Sequence, residues 1–214
     1  MLIQDIMRSS NITLKKENTI GDAVTIFRTG DVRHIPIINE VDQVVGIISD
    51  RDVRDALPST LFPQAFSSVL EVSVEKIMTT NVITCSPIDF VEEVATYFYQ
   101  YKIGCLPVVS SGKLIGLVTE IDVLHTLVTL TGAYQPSSQI EILVHDHPGI
   151  LSDVVNVFSK ENINIVSVLV YPAKEVDHKV LVFRIQTMNP LKIIQTLKTE
   201  GYKILWPNEA SESC

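Results

Sequence analysis

Short β-branched runs alternate along the chain with stretches whose apolar residues follow a helical period. Ile20, Ala23, Val24 and Phe27 recur at helical spacing, which predicts an amphipathic helix. Residues 32–38 and 44–48 are β-branched runs joined by the polar stretch 39–43, which predicts two strands and a turn. A strand before the helix and a second helix after the strands complete the unit strand, helix, strand, strand, helix.

That unit occurs twice. Ile6-Met7-Arg8-Ser9-Ser10-Asn11-Ile12-Thr13 recurs 71 positions on as Ile77-Met78-Thr79-Thr80-Asn81-Val82-Ile83-Thr84. At the same shift His34-Ile35-Pro36-Ile37-Ile38 meets Cys105-Leu106-Pro107-Val108-Val109. After a one-residue deletion, Val45-Gly46-Ile47-Ile48-Ser49-Asp50-Arg51-Asp52 meets Ile115-Gly116-Leu117-Val118-Thr119-Glu120-Ile121-Asp122. Ser49-x-x-Asp52 and Thr119-x-x-Asp122 have the form of a capping box, a hydroxyl before a helix and an acid three residues later. The connection between the copies contains Pro58 and Pro63, and its apolar Leu61, Phe62 and Phe66 are expected to pack on the pair.

Residues 131–138 turn polar and helix-breaking, which reads as a linker. Beyond it, strands are predicted at 140–144, 165–171, 179–185 and 202–206. Leu151, Val154, Val155 and Phe158 mark one helix, and Leu191, Ile194 and Leu197 another. The order βαββαβ is that of a ferredoxin-like domain. The fold class is therefore mixed α/β (α+β). The expected division is 1–60 and 74–130 for the repeats, 61–73 for their connection, 131–138 for the linker, 139–207 for the third domain and 208–214 for a tail.

Composition narrows the function. The 214 residues carry a net charge of −8, with 7, 3 and 7 basic against 9, 7 and 9 acidic residues in 1–60, 61–135 and 136–214. Without a basic segment to neutralise phosphates, nucleic acid is not the expected partner. Cys85, Cys105 and Cys214 form no CxxC pair, as in a reduced cytoplasmic protein, and Asp5 stands where a signal peptide would be basic. No run reaches the roughly 18 apolar residues of a membrane span, so no membrane partner is expected. GxSxG, P-loop, HExxH and GxGxxG motifs are all missing, and no enzyme activity is expected.

The paired units with Gly46 to Asp52 and Gly116 to Asp122 resemble the CBS domain pair, the Bateman module, over roughly residues 1–130. The resemblance implies two clefts that bind adenosine nucleotides of the AMP, ADP and ATP class, with no covalent cofactor. It implies that Asp52 and Asp122 hold the ribose and that Ser49 and Thr119 face phosphate. Thr13 and Thr84 would wall the base, with His34 and Cys105 closing the cleft. A helix N-terminus favours phosphate through its free N–H groups and partial positive charge. The same acids also suffice as caps of their own helices. Arg51 adds a cation to the first cleft where the second has Ile121, so the clefts are expected to be unequal.

His145-Asp146-His147-Pro148-Gly149-Ile150-Leu151, with Glu161-Asn162-Ile163-Asn164-Ile165 after the helix, resembles the ACT domain over 139–207. That resemblance implies side-by-side pairing and an amino acid held by Asp146, the Gly149 backbone and Asn164. This chain departs from some amino-acid-binding members, having Val144 where they have His and Asp146 where they have Asn. Pro148-Gly149 also suffices as a tight strand-to-helix turn. His145 and His147, with His178 nearby, compose a weaker metal candidate, for which a polar strand end is the simpler explanation. Two sensing modules without a catalytic domain describe a regulatory homodimer acting on a partner enzyme. The CBS-CBS-ACT order resembles regulators of acetoin utilisation, implying a role in acetoin or butanediol breakdown during stationary growth and sporulation.

Overall fold

The computed structural model describes residues 1–9, 12–30, 32–58 and 66–208. The chain divides into two compact units, Met1–Leu124 and His125–Cys214. The expected packing of Leu61 and Phe62, and of the Phe66 side chain, lies outside the described residues. No helix among the described residues is long and apolar enough to cross a membrane.

In the first unit, α1 (Ile20–Thr29) starts at Thr19, whose hydroxyl accepts from the Asp22 N–H while the Asp22 carboxylate accepts from the Thr19 N–H. The chain then forms β1 (His34–Ile38), β2 (Val44–Ser49) and α2 (Asp50–Ala56), followed by a short α3 (Phe66–Leu70). The second copy supplies α4 (Val91–Tyr101), β3 (Cys105–Ser110), β4 (Lys113–Thr119) and α5 (Glu120–Leu130). Both strand pairs are antiparallel hairpins in matching register, His34 opposite Ser49 and Cys105 opposite Thr119. The strand expected before each helix shrinks to one bridging residue. Leu14 bonds on both sides to the Pro36–Ile38 backbone, and Cys85 does the same to Pro107–Val109.

The two copies exchange their leading segments. Ile3 is fully buried with Val91, Val94, Leu106 and Val118 of the second copy, whereas Val74 and Met78 lie in the core of Ile20, Ile35, Ile37 and Ile48 of the first. Backbone bonds seal each crossing. Arg8 and Leu117 exchange both N–H···O bonds at 2.9 Å, and Thr79 and Ile47 do so at the corresponding place. The crossing explains the motif glycines. A Cβ on Gly116 would meet the Arg8 carbonyl oxygen at 2.8 Å and the Met7 sulfur at 3.1 Å, and one on Gly46 would run into the Met78 side chain.

The second unit contains β5 (Ser138–His145), α6 (Ile150–Lys160), β6 (Ile165–Pro172), β7 (His178–Ile185), α7 (Leu191–Thr199) and β8 (Lys203–Trp206). The sheet order is β6-β7-β5-β8 with every pair antiparallel, the ferredoxin-like arrangement. Alternate residues Ile140, Ile142 and Val144 of β5, with Leu181, Phe183 and Ile185 of β7, bury against Val154, Val157 and Phe158 of α6 and Ile193, Ile194 and Leu197 of α7. Leu151 and Leu191, expected on the buried stripes, stand exposed at the first turns of their helices.

Candidate functional site

Each hairpin ends where a helix begins, and the capping boxes turn that junction into a polar corner. Ser49 accepts from the Asp52 N–H, while Asp52 Oδ2 accepts from the Ser49 N–H and hydroxyl, both at 2.7 Å. Thr119 and Asp122 repeat the arrangement, the Thr119 hydroxyl donating to Asp122 Oδ2 at 2.6 Å. Beyond this point the corners differ. The second oxygen of Asp52 has no protein partner among the described residues. Asp122 Oδ1 accepts from Arg8 Nε at 3.0 Å and Nη2 at 2.7 Å.

Between the two copies lies a cavity of about 800 Å³. Of the residues assigned to a nucleotide from sequence, His34, Ser49, Arg51, Cys105 and Thr119 line it. Asp52 and Asp122 do not, because their carboxylates fold back on their own helix starts. Thr13 is half-buried and Thr84 exposed, and neither lines the cavity. Arg8 and Ser9 also line it, brought there by the crossing of the leading segment. Only the 71-residue shift, read together with that crossing, could have signalled Arg8.

Burial sets the chemistry of the lining. Burial pushes the His34 imidazole below its ordinary 6.5, although the nearby Asp50, Asp52 and Glu120 pull the other way, so the ring is neutral at pH 7. The ring packs close enough to Gly104 that a Cβ there would meet it at 3.3 Å. Burial, and then the charge of Asp122, push the Cys105 thiol up to about 12. Cys85 is pushed up to about 12 by burial and then by Asp89. Both are hydrogen-bearing thiols at neutral pH and poor nucleophiles.

In the second unit, Gly149 caps α6 at φ +94°, and no atom lies within 4 Å of the position its Cβ would occupy. This conformation favours glycine and leaves the loop backbone open to a ligand. Asp146 pairs with Lys179 at 2.7 Å. Asn164 donates to Gln186 Oε1 at 2.8 Å beyond the far end of α6. One chain does not bring Asn164 to Asp146 and Gly149, because the 11 residues of α6 intervene, a rise of about 16 Å. His145, His147 and His178 border a cavity of about 370 Å³, with the His145 and His178 rings 4.1 Å apart. Among the described residues no group of three or more His, Cys, Asp or Glu is placed to hold a metal ion.

Comparison with known proteins agrees with this architecture. The CBS domain family matches residues 3–59 and 74–129, and the ACT domain family matches 138–201. The crystal structure of an acetoin utilization protein (AcuB) from Vibrio cholerae is 30% identical and covers 62% of this chain and 93% of its own, with a TM-score of 0.53. The CBS domain pair of protein MJ0100, in complex with 5′-methylthioadenosine and S-adenosyl-L-methionine, is 30% identical over 59% of this chain and 95% of its own, with a TM-score of 0.51. Among curated relatives, the homoserine O-acetyltransferase of Methanococcus vannielii is 28% identical over 59% of this chain. The L-aspartate semialdehyde sulfurtransferase of Methanocaldococcus jannaschii is 32% identical over 57%. The match spans only 25% and 22% of those enzymes' lengths. With more than half of its residues matched in two copies, the chain belongs to the CBS domain family, as a CBS domain pair followed by an ACT domain.

Proposed function

We propose that this chain is a non-catalytic, cytoplasmic regulatory protein that binds an adenosine ligand in its CBS clefts and alters its contact with a partner enzyme. The observation that carries this reading is the single cavity into which both copies bring His34, Ser49, Arg51, Cys105 and Thr119 beside the two capped acids. The 5′-methylthioadenosine and S-adenosyl-L-methionine in the MJ0100 pair support the adenosine class. The starts of α2 and α5, at Ser49 and Thr119, favour a 5′ phosphate through the partial positive charge of a helix N-terminus, and Asp52 has an oxygen for the ribose hydroxyls. Coupling of the ligand to one conformation is worth typically about 1–3 kcal/mol and is reciprocal.

The ACT domain acts, on this reading, as a dimerising and amino-acid-binding module. Its outer strand β6 is eight residues long and presents Leu169, Val170 and Tyr171 to solvent, a surface suited to pairing with the same strand of a second copy. A second copy would also carry its own Asn164 to the Asp146–Gly149 loop, completing a site that one chain leaves divided. The name of the AcuB relative supports acetoin or butanediol breakdown as the setting.

A thermal-shift screen with AMP, ADP, ATP, S-adenosylmethionine, 5′-methylthioadenosine and the common amino acids tests the proposal. A ligand at 100 times its Kd adds about 2.7 kcal/mol, and Asp52→Ala combined with Asp122→Ala should abolish the adenylate shift. No shift from any ligand, with the dimer intact, would leave a dimerising scaffold with empty clefts.

A further inference from the structure

The two polar corners are related by the repeat, yet Asp122 is held by Arg8 where Asp52 has no such partner among the described residues. Arg8 stands at the position that Thr79 occupies in the second copy. Both residues pair by backbone with a hairpin of the opposite copy. Only Arg8 carries a side chain that reaches an acid, and it places two guanidinium nitrogens on Asp122 Oδ1. The Asp122 side chain is 11% exposed and that of Arg8 65% exposed. The acceptor is thus fixed and shielded, while the cation has solvent to swing into. Since Asp122 Oδ2 is committed to Thr119, the oxygen held by Arg8 is the one a ribose would need.

Resting on the adenosine reading above, the geometry points to Arg8 as a latch that makes the Asp122 cleft selective for phosphorylated adenosine ligands. A ribose diol is neutral, so its hydrogen bonds to the shielded carboxylate do not make up for the ion pair it displaces. A ligand with a 5′ phosphate compensates the exchange. Arg8 leaves Asp122 to the ribose and turns to the phosphate, within the cavity that Arg8 and Thr119 both line. Among the described residues the Asp52 cleft has no such latch, and it accepts adenosine ligands with or without phosphate. Arg8 therefore acts as a specificity-determining residue at an acid that belongs to the other repeat.

Equilibrium dialysis of the full chain with radiolabelled 5′-methylthioadenosine and AMP tests this. Wild-type protein should bind one 5′-methylthioadenosine per chain, and Asp52→Asn should remove it. Arg8→Thr, which installs the residue of the other copy, should create a second 5′-methylthioadenosine site that Asp122→Asn removes. AMP should fill both clefts of the wild type, and Arg8→Thr should weaken its second site about tenfold, the size of one lost charge-assisted contact. Arg8→Gln, which keeps the length of the side chain, should act in the same directions, and a melting curve for each variant confirms that it is folded. Unchanged 5′-methylthioadenosine stoichiometry in both Arg8 variants overturns the latch alone, as do effects of the same sign on the two ligands. Binding of neither ligand to any of the proteins overturns the adenosine reading and the latch with it.

Discussion

Cys85 and Cys105 lie in the core of the CBS pair, and with burial pushing both thiols up to about 12, almost no thiolate exists at pH 8. Iodoacetamide at pH 8 should therefore leave both unmodified in the native protein and label both in urea, as peptide mass spectrometry would show. Native labelling at the rate of a free thiol would contradict this burial. His34 titrates in the opposite sense. Its folded pKa lies below 6.5, so below pH 6.5 the unfolded chain takes up a proton that the folded ring resists. Stability is thus complete above about pH 6.5 and declines as pH falls from there towards the folded pKa. Urea midpoints at pH 7.5 and 5.5 should fall further for wild type than for His34→Gln. At this scale the polar corners were legible in the sequence, because a box is local. Arg8 was not, since its partner Asp122 is 114 positions away and only the exchange of segments brings them together.

Helix starts and crossings are the elements on which the cleft is built. Ser49→Ala removes the acceptor for the Asp52 N–H and leaves the Asp52 carboxylate without its hydroxyl donor. It should cost about 1 kcal/mol, a fall in Tm of about 2–4 °C for a chain of this size. The two motif glycines should respond unequally to alanine. At Gly116 the obstacle is the Arg8 carbonyl, part of a paired backbone, whereas at Gly46 it is the flexible Met78 side chain. Gly116→Ala should therefore cost about 1–3 kcal/mol, and Gly46→Ala less, when compared by urea denaturation. Equal costs would mean that the crossing segment at Arg8 yields as readily as a methionine. The repeat's elements were largely readable from period and turn residues. The strand before each helix was not, because a single bridging residue carries no alternation to read.

At the scale of the whole molecule, β6 ends the ACT sheet with apolar Leu169, Val170 and Tyr171 exposed. If a second copy pairs there, light scattering will give twice the 23.8 kDa of one chain. The β6 amides that face away from β7 will then exchange with solvent as slowly as those bonded to it. A chain that runs as a monomer, with those amides exchanging freely, would remove the shared amino-acid site, because one chain keeps Asn164 apart from Asp146 and Gly149.

Sequence by itself determined the repeat, the polar corners at Ser49–Asp52 and Thr119–Asp122, the βαββαβ order and the absence of a basic segment. Each of these is written in local spacing or in composition. Only the tertiary structure decided which segment completes which core and which acid is covered. Those outcomes depend on segments that cross between repeats, and a crossing leaves no periodic trace along the chain. The same is true of the apolar stripes of α6 and α7, where Val157 and Ile193 are buried in place of the exposed Leu151 and Leu191. A helical period offers neighbouring rows of apolar residues, and the packing against the sheet selects among them.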